Sequence, residues 1–348
     1  MSPTLVWDTA KPREQHPNFI LEAPGRIAMP SSNRRTFIIT AGAATAAFGI
    51  GKPLAILGSA RAAELQEQGY FKFKVGDIEV TTVYDGHWDK PHDPGFIRNA
   101  SVADTKAALK AAGKSANNVQ IPFTITFVKT ANRTVMFDAG TGAQLAPTAG
   151  RLAANMKAAG ISQDSIDTIV VTHFHPDHIF GLMEKDTNAQ VYPNAQIIVP
   201  EPEIAFWTDT AVTSSLPKNR RGLAKRIQAT LPNWTNITRL TTGKEVAPGI
   251  TAIPAYGHTA GHTVFSVDSG NEQLLVMADT SNIPALFVRN PSWHAVFDAD
   301  PYAAEASRRR IFDRAISDKA IVTGYHFGMP GAGRLEKDGS GYAFAPLA

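Results

Sequence analysis

Six consecutive positions constrain this chain more than any other stretch. An apolar run, Thr168 to Val171, passes through Thr172 into His173, Phe174, His175, Pro176, Asp177 and His178. Apolar β-branched residues that stop abruptly at polar ones read as a buried strand ending at a site. Neutral imidazole and carboxylate are ligands for zinc, and also for iron or manganese. Side chains alternate along a strand, so His173 and His175 point to one side. Asp177 and His178 follow the turn set by Pro176 and can face a second position. That crowding suggests two metals rather than one.

The chain has 348 residues, of which 43% are hydrophobic and 19% charged, ample for a sizeable core. It has no cysteine, which excludes a disulfide framework, a thiolate metal site and a cysteine nucleophile. The formal charge of +3 is misleading. Residues 1–62 hold seven Lys/Arg and three Asp/Glu, leaving 27 basic against 28 acidic side chains in the rest. A near-neutral body gives no support to nucleic-acid binding.

Residues 1–31 lack periodicity and read as disordered. The paired arginines Arg34 and Arg35, followed at two residues by Phe37, precede a weakly apolar run from Thr40 to Gly51. Ala60-Arg61-Ala62 then offers small residues where a signal peptidase would cut. The pattern resembles a twin-arginine export signal and implies a periplasmic or secreted protein. Gly51, Lys52 and Pro53 break the run below the roughly 20 residues needed to span a bilayer, so no stable membrane anchor is expected. Met29 would give a leader of ordinary length and is the expected true start. The expected organisation is a leader over 1–62 and one catalytic domain over 63–348.

In the mature region, 71–75 and 78–84 alternate around Gly76-Asp77 as a hairpin that Asp85-Gly86 ends. Residues 101–114 form a helix capped by Ser101. Strands at 123–128 and 134–137 follow, the second running into Asp138. A helix over 152–159 precedes the site strand. A strand at 196–199 leads to a helix at 201–208. Lys218, Arg220, Arg221, Lys225 and Arg226 in the polar segment 209–240 read as a solvated helical face. Strands return at 246–254, 263–267, 273–277 and 320–323. A helix at 301–317 carries Arg308-Arg309-Arg310 on its surface, and the tail is glycine-rich. Strand-rich halves with flanking helices suggest two packed sheets with helices outside, an α+β sandwich.

Three later strand ends also carry ligand-type residues: His258 in Gly257-His258-Thr259-Ala260-Gly261-His262, Asp279 after Met277-Ala278, and His326 after Gly324-Tyr325. With these seven residues in view, the chain resembles the metallo-β-lactamase superfamily. Its H-x-H-x-D-H signature matches His173, His175, Asp177 and His178, and its later ligands match His258, Asp279 and His326. The Gly-His-Thr-x-Gly-His form and the tail from Tyr325 are similar to the methyl parathion hydrolase branch, related to the quorum-quenching lactonases. Ala278 departs from the usual glycine before the aspartate.

The resemblance implies an αββα sandwich with two divalent ions, zinc foremost and manganese or iron as alternatives. It implies that His173, His175 and His258 hold one ion, that Asp177, His178 and His326 hold the other, and that Asp279 bridges. Two cations sharing a water lower its pKa from about 15.7 to about 7, which supplies hydroxide without a protein nucleophile. Asp177 and Asp279 are therefore the expected catalytic carboxylates, Asp177 being also able to move a proton to the leaving group. Asp138 and His262 are expected behind the ligands. Phe206, Trp207, Phe287 and Trp293 are candidates to line an apolar substrate pocket, with core packing as the competing role. The expected partner is a small molecule, an uncharged ester, lactone or organophosphate triester, with a homodimer allowed. Rival readings on this fold are hydrolytic dehalogenation of an activated haloaromatic, β-lactam cleavage and a mononuclear-iron persulfide dioxygenase.

Overall fold

The structure is a computed structural model that describes residues 59–241 and 243–348. Met29, the twin arginines and the weakly apolar run after them lie outside the described residues. The expected cleavage point, Ala60 to Ala62, falls within a helix, Ser59–Gln68. Among the described residues no helix is long and apolar enough to cross a membrane.

The apolar runs order into two seven-stranded sheets, each following the chain without a crossover in strand order. The first holds β1 (Tyr70–Val75), β2 (Ile78–Lys90), β3 (Val119–Lys129), β4 (Thr134–Phe137), β5 (Thr168–Val170), β6 (Gln196–Pro200) and β7 (Ile237–Leu240). The second holds β8 (Glu245–Ala247), β9 (Ile250–Pro254), β10 (Thr263–Ser269), β11 (Glu272–Val276), β12 (Ile321–Thr323), β13 (Ala332–Asp338) and β14 (Gly341–Pro346). Strands β4 to β7 are parallel, as are β11 and β12, and the remaining neighbours are antiparallel.

The two-residue period of a strand decides which side chain faces which layer. In β5, Val170 joins Val80, Val128, Val135 and Phe137 against Phe265, Val267, Leu274, Val276 and Ile321 of the other sheet. The Phe137 and Phe265 rings meet across that layer, centroids 5.5 Å apart. Ile169 turns the other way and packs with Leu152, Met156, Leu223 and Ile227 from helices on the outer face. Likewise Val322 faces outward to Ile311, Phe312 and Ala315 of the helix Pro301–Ser317. The outcome is the expected αββα sandwich. Its central layer is sensitive: Phe137→Ala would leave a cavity costing about 3–5 kcal/mol.

Two local expectations change, and one segment gains an element. Strand β2 does not stop at Asp85-Gly86; it passes through a bulge there and runs on to Lys90. Gly86 has φ +118°, and a Cβ on it would lie 2.2 Å from the Thr148 carbonyl, so no other residue fits. The continuation carries Trp88 to the rim of the site described below. The glycine-rich tail, given no element above, forms the hairpin β13–β14. Arg308 is not on the surface: it is 2% exposed and donates to the carbonyls of Thr280, Pro291 and Trp293. Helix 301–317 faces the core at that position, and three loop carbonyls need a donor there.

Candidate metal centre

The seven ligand-type residues lie where strands end. His173 and His175 follow β5, His258 stands in the β9–β10 turn, Asp279 follows β11 and His326 follows β12. Asp177 and His178 sit on a single helical turn, Pro176–Ile179, that Pro176 starts. His173, His175, His258 and Asp279 each bring one ligand-type atom to within 4.8 Å of the others. Asp177, His178 and His326 do the same in a second group. Asp279 lies between the two, its Oδ2 3.2 Å from His258 Nε2 and 3.1 Å from His326 Nε2, its Oδ1 3.3 Å from His178 Nε2.

The donor atoms fit cations. His173 Nε2, His178 Nε2 and Asp279 Oδ1 are buried with no hydrogen-bond partner, although buried polar atoms are nearly always satisfied. His175 Nδ1 and His258 Nε2 face each other at 2.9 Å. Convergent lone pairs of this kind are what a pair of divalent ions would satisfy.

Most of the ring nitrogens turned away from that centre are held. Asp138 Oδ2 accepts from His178 Nδ1 at 2.8 Å, and Asp298 Oδ1 accepts from His258 Nδ1 at 2.8 Å. His326 Nδ1 donates to the Pro122 carbonyl at 2.8 Å, and His173 Nδ1 meets Thr172 Oγ1 at 3.0 Å. His262 donates from Nδ1 to the Ala255 carbonyl and accepts at Nε2 from the Asp279 amide, placing the carboxylate. Such partners fix tautomer and ring orientation. Asp138 and His262 thus stand directly behind the cluster. Asp298 does as well, and nothing in its local sequence marks it.

A second buried carboxylate joins the two histidine loops. Glu203 is 0% exposed. Its Oε1 accepts from the Phe174 amide (2.9 Å) and Trp207 Nε1 (2.7 Å). Its Oε2 accepts from Thr259 Oγ1 and the Gly261 amide, both at 2.7 Å. Backbone geometry is also demanding. Asp138 has φ +63°, and Ala278, standing where glycine is expected, has φ +45°. Both are left-handed, a region non-glycine residues enter rarely and mostly at functional turns.

Electrostatics in the metal-free cluster are set by crowding. Burial opposes the charged form of His178, but Asp177, Asp138 and Asp279 outweigh it and raise its pKa well above the histidine range. His258 follows the same pattern: burial is overcome by Asp279 and Asp298, and its pKa rises to about 9. Burial, with the neighbouring His178 and His175, keeps His173 neutral, and burial takes His262 down to about 3. For Asp279, burial is outweighed by His326, His178 and His258, which hold it well below the carboxylate range.

A cavity of about 280 Å³ opens onto His175, Asp177, Asp279 and His326. Its apolar wall is Trp88, Ile121, Phe123, Leu145, Leu223 and Phe297. None of the four aromatic residues expected to line a pocket does so. Trp207 is buried and spends its N–H on Glu203; Phe287 is buried against Phe96 and the Arg308 guanidinium. Phe206 packs edge-on to Trp207, and Trp293 packs half-buried against the outer core. Core packing claims all four: Trp207 and Phe287 belong to the outer hydrophobic cluster, and Phe206 and Trp293 pack against it.

Two facing sheets with outer helices, bearing a double His/Asp cluster at the strand ends beside a cavity, define a metal-dependent hydrolase of the αββα class. The chain belongs to the metallo-β-lactamase superfamily, whose family model matches residues 124–324. No curated protein matches the chain significantly. Among solved structures it is similar to AidC, a dizinc quorum-quenching lactonase in complex with a product N-hexanoyl-L-homoserine. That pair has a TM-score of 0.75 and 27% identity, covering 80% of this chain and 98% of the other. The hydrolase AbOPH aligns with TM-score 0.74 and 23% identity over 80% of this chain and 98% of its own, a likeness of fold. An N-acyl homoserine lactone hydrolase with N-hexanoyl-L-homoserine bound at its catalytic metal centre aligns at TM-score 0.51 and 16% identity, over 73% and 94%.

Proposed function

We propose that the protein is an exported dinuclear hydrolase that opens a lactone or cleaves a small ester. The observation that carries this reading is the pair of convergent clusters with Asp279 between them, opening onto an apolar cavity. His173, His175 and His258 with Asp279 would hold one ion, and Asp177, His178 and His326 with Asp279 the other. Bound there, two divalent cations would supply a Lewis acid for the scissile carbonyl and a water acidic enough to attack at neutral pH. The second cluster favours this over the mononuclear dioxygenase reading, which would leave Asp177, His178 and His326 without a task. Zinc is the first choice because the 27%-identical neighbour is a dizinc enzyme.

The chain's own groups do the rest. Asp177 is the ligand-type residue most open to the cavity, its side chain 16% exposed, and its carboxylate would take the proton of the attacking water and return it to the departing alkoxide. The Tyr325 hydroxyl donates to the Asp177 carbonyl at 2.5 Å, and its ring stacks on His178 at 3.8 Å, holding that turn in register. Ile121, Phe123 and Leu223 exclude water from the acyl part of the substrate. A lactone comes first for the same neighbour's sake; phosphotriesters and haloaromatics fit the apolar wall without any residue that singles them out.

The test is metal analysis of the purified protein with a panel of lactones, p-nitrophenyl esters, phosphotriesters and haloaromatics. Two equivalents of metal and lactone turnover are expected, with at least a 1,000-fold loss in Asp279→Ala. Unchanged turnover in that variant would reject the mechanism. Export is tested by N-terminal sequencing of the cell-envelope fraction, where a mature start near Ala63 is expected.

A further inference from the structure

Arg220 stands on the helix Lys218–Thr230, among residues whose sequence suggests a solvated face, yet its side chain lines the cavity that also holds His175, Asp177, Asp279 and His326. Its Nη2 donates to the Phe297 carbonyl at 2.7 Å, which anchors one edge of the guanidinium. Among the described residues no carboxylate lies within 4.0 Å of it. Its charge feels the like charge of Arg98 and the opposite charges of Asp298 and Glu203, whose oxygens bond other donors. Asp298 serves His258 (2.8 Å), Arg308 (3.5 Å) and the Ala295 amide (3.3 Å). Glu203 serves the four donors named above. A half-buried guanidinium held at one edge by the Phe297 carbonyl and lining the cavity is a planar fork of N–H donors suited to an acceptor oxygen on a ligand.

We propose that Arg220 reads a second oxygen acceptor on the substrate, remote from the bond that is cut. The preferred substrate is then an ester or lactone whose apolar acyl part carries an amide or carboxylate oxygen. This assignment rests on the lactone reading of the same site. The scissile carbonyl lies between His175, Asp177 and His326, the apolar part on Ile121, Phe123 and Leu223, and the acceptor at Arg220. Simple alkyl lactones fill the wall but leave the guanidinium unpaired, and so lose the bond that orients the ring.

Three γ-lactones of matched length decide it: one with an amide in the side chain, one with a carboxylate, one with neither. The metal-loaded wild type should favour an acceptor-bearing lactone by about 10- to 100-fold in kcat/KM, the worth of a charged hydrogen bond. Which lactone shows the preference tells the neutral acceptor from the anionic one. Arg220→Met should bring the ratio close to unity, mainly through KM, with metal content retained. No preference in the wild type, or an unchanged ratio in the variant, overturns the assignment. If Arg220→Met does not fold, Arg220→Lys keeps the charge, loses the planar fork and should lower the ratio at least threefold; an unchanged ratio again overturns it. Turnover of none of the three refutes the lactone reading itself. Arg220 is then judged by calorimetric binding of the acyl-amino hydroxy acid, which Arg220→Met should weaken about tenfold; equal affinity overturns it.

Discussion

Glu203→Gln isolates what joins the two histidine loops. Both carboxylate oxygens meet a backbone N–H that cannot rotate away, the Phe174 amide at Oε1 and the Gly261 amide at Oε2. Whichever way the glutamine amide turns, its NH₂ confronts one of them. Burial pushes the carboxyl pKa up, and the four donors from Thr259, Phe174, Gly261 and Trp207 oppose that push by favouring the charged form. The substitution leaves one buried donor unsatisfied, about 1–3 kcal/mol, and weakens the remaining charge-assisted bonds by about 1 kcal/mol each. The sum is roughly 4–6 kcal/mol, or a fall in Tm of about 5–15 °C for a domain of this size. Because Phe174 lies between His173 and His175, and Gly261 between His258 and His262, metal content should fall as well. Differential scanning calorimetry and metal analysis on the same sample provide the assay. A variant that melts within about 2 °C of the parent with full metal would refute the reasoning.

Asp138→Asn tests orientation rather than charge alone. Asparagine tolerates the left-handed φ of +63° and keeps an oxygen for the Thr172 amide, but it turns NH₂ toward His178 Nδ1. That forces the proton to Nε2, the nitrogen the second cluster needs, so about one metal equivalent should be lost at near-native Tm; full occupancy would count against the tautomer argument. For pH, His258 carries a proton below about 9 in the metal-free protein, and His178 carries one too. Metal uptake must displace these protons, so affinity should rise with pH up to about 9 and proton release should appear in calorimetry across buffers. Uptake independent of pH between 6 and 9 would contradict this. The stability sign of His258 is the reverse: its raised folded pKa contributes stability below about 6.5 that is lost as pH rises through about 9.

The sequence made the candidate ligands legible because most of them stand just past the end of an apolar strand, where a polar residue breaks the pattern of the core, and Asp177 and His178 follow in the turn after one. It also revealed Asp138, at the end of β4, and His262, four residues after His258. What supports them was not legible. Glu203 and Asp298 are single carboxylates whose partners lie across loops, and Arg308 looked like one of three surface arginines. Arg220 looked like part of a charge run. The aromatic pocket failed for a related reason: Trp207 and Phe287 are apolar enough to line a cavity and equally fit to fill a core, and only packing separates the two. Trp88 was hidden by a bulge that a Gly after Asp disguised as a turn. The strands β13 and β14 were hidden by the glycines around them.

Asp279 and His326 belong to the second sheet, while His173, His175, Asp177 and His178 belong to the first. With ions bound, a chain without cysteine would have its two sheets tied at one edge by a fastening that can be undone. Ions seated there would act as reversible cross-links between sheets, shortening the loops open to the unfolded chain much as a disulfide does. The fold's persistence would then track the free-ion concentration around it. The place where this protein lives would set its durability as well as its activity.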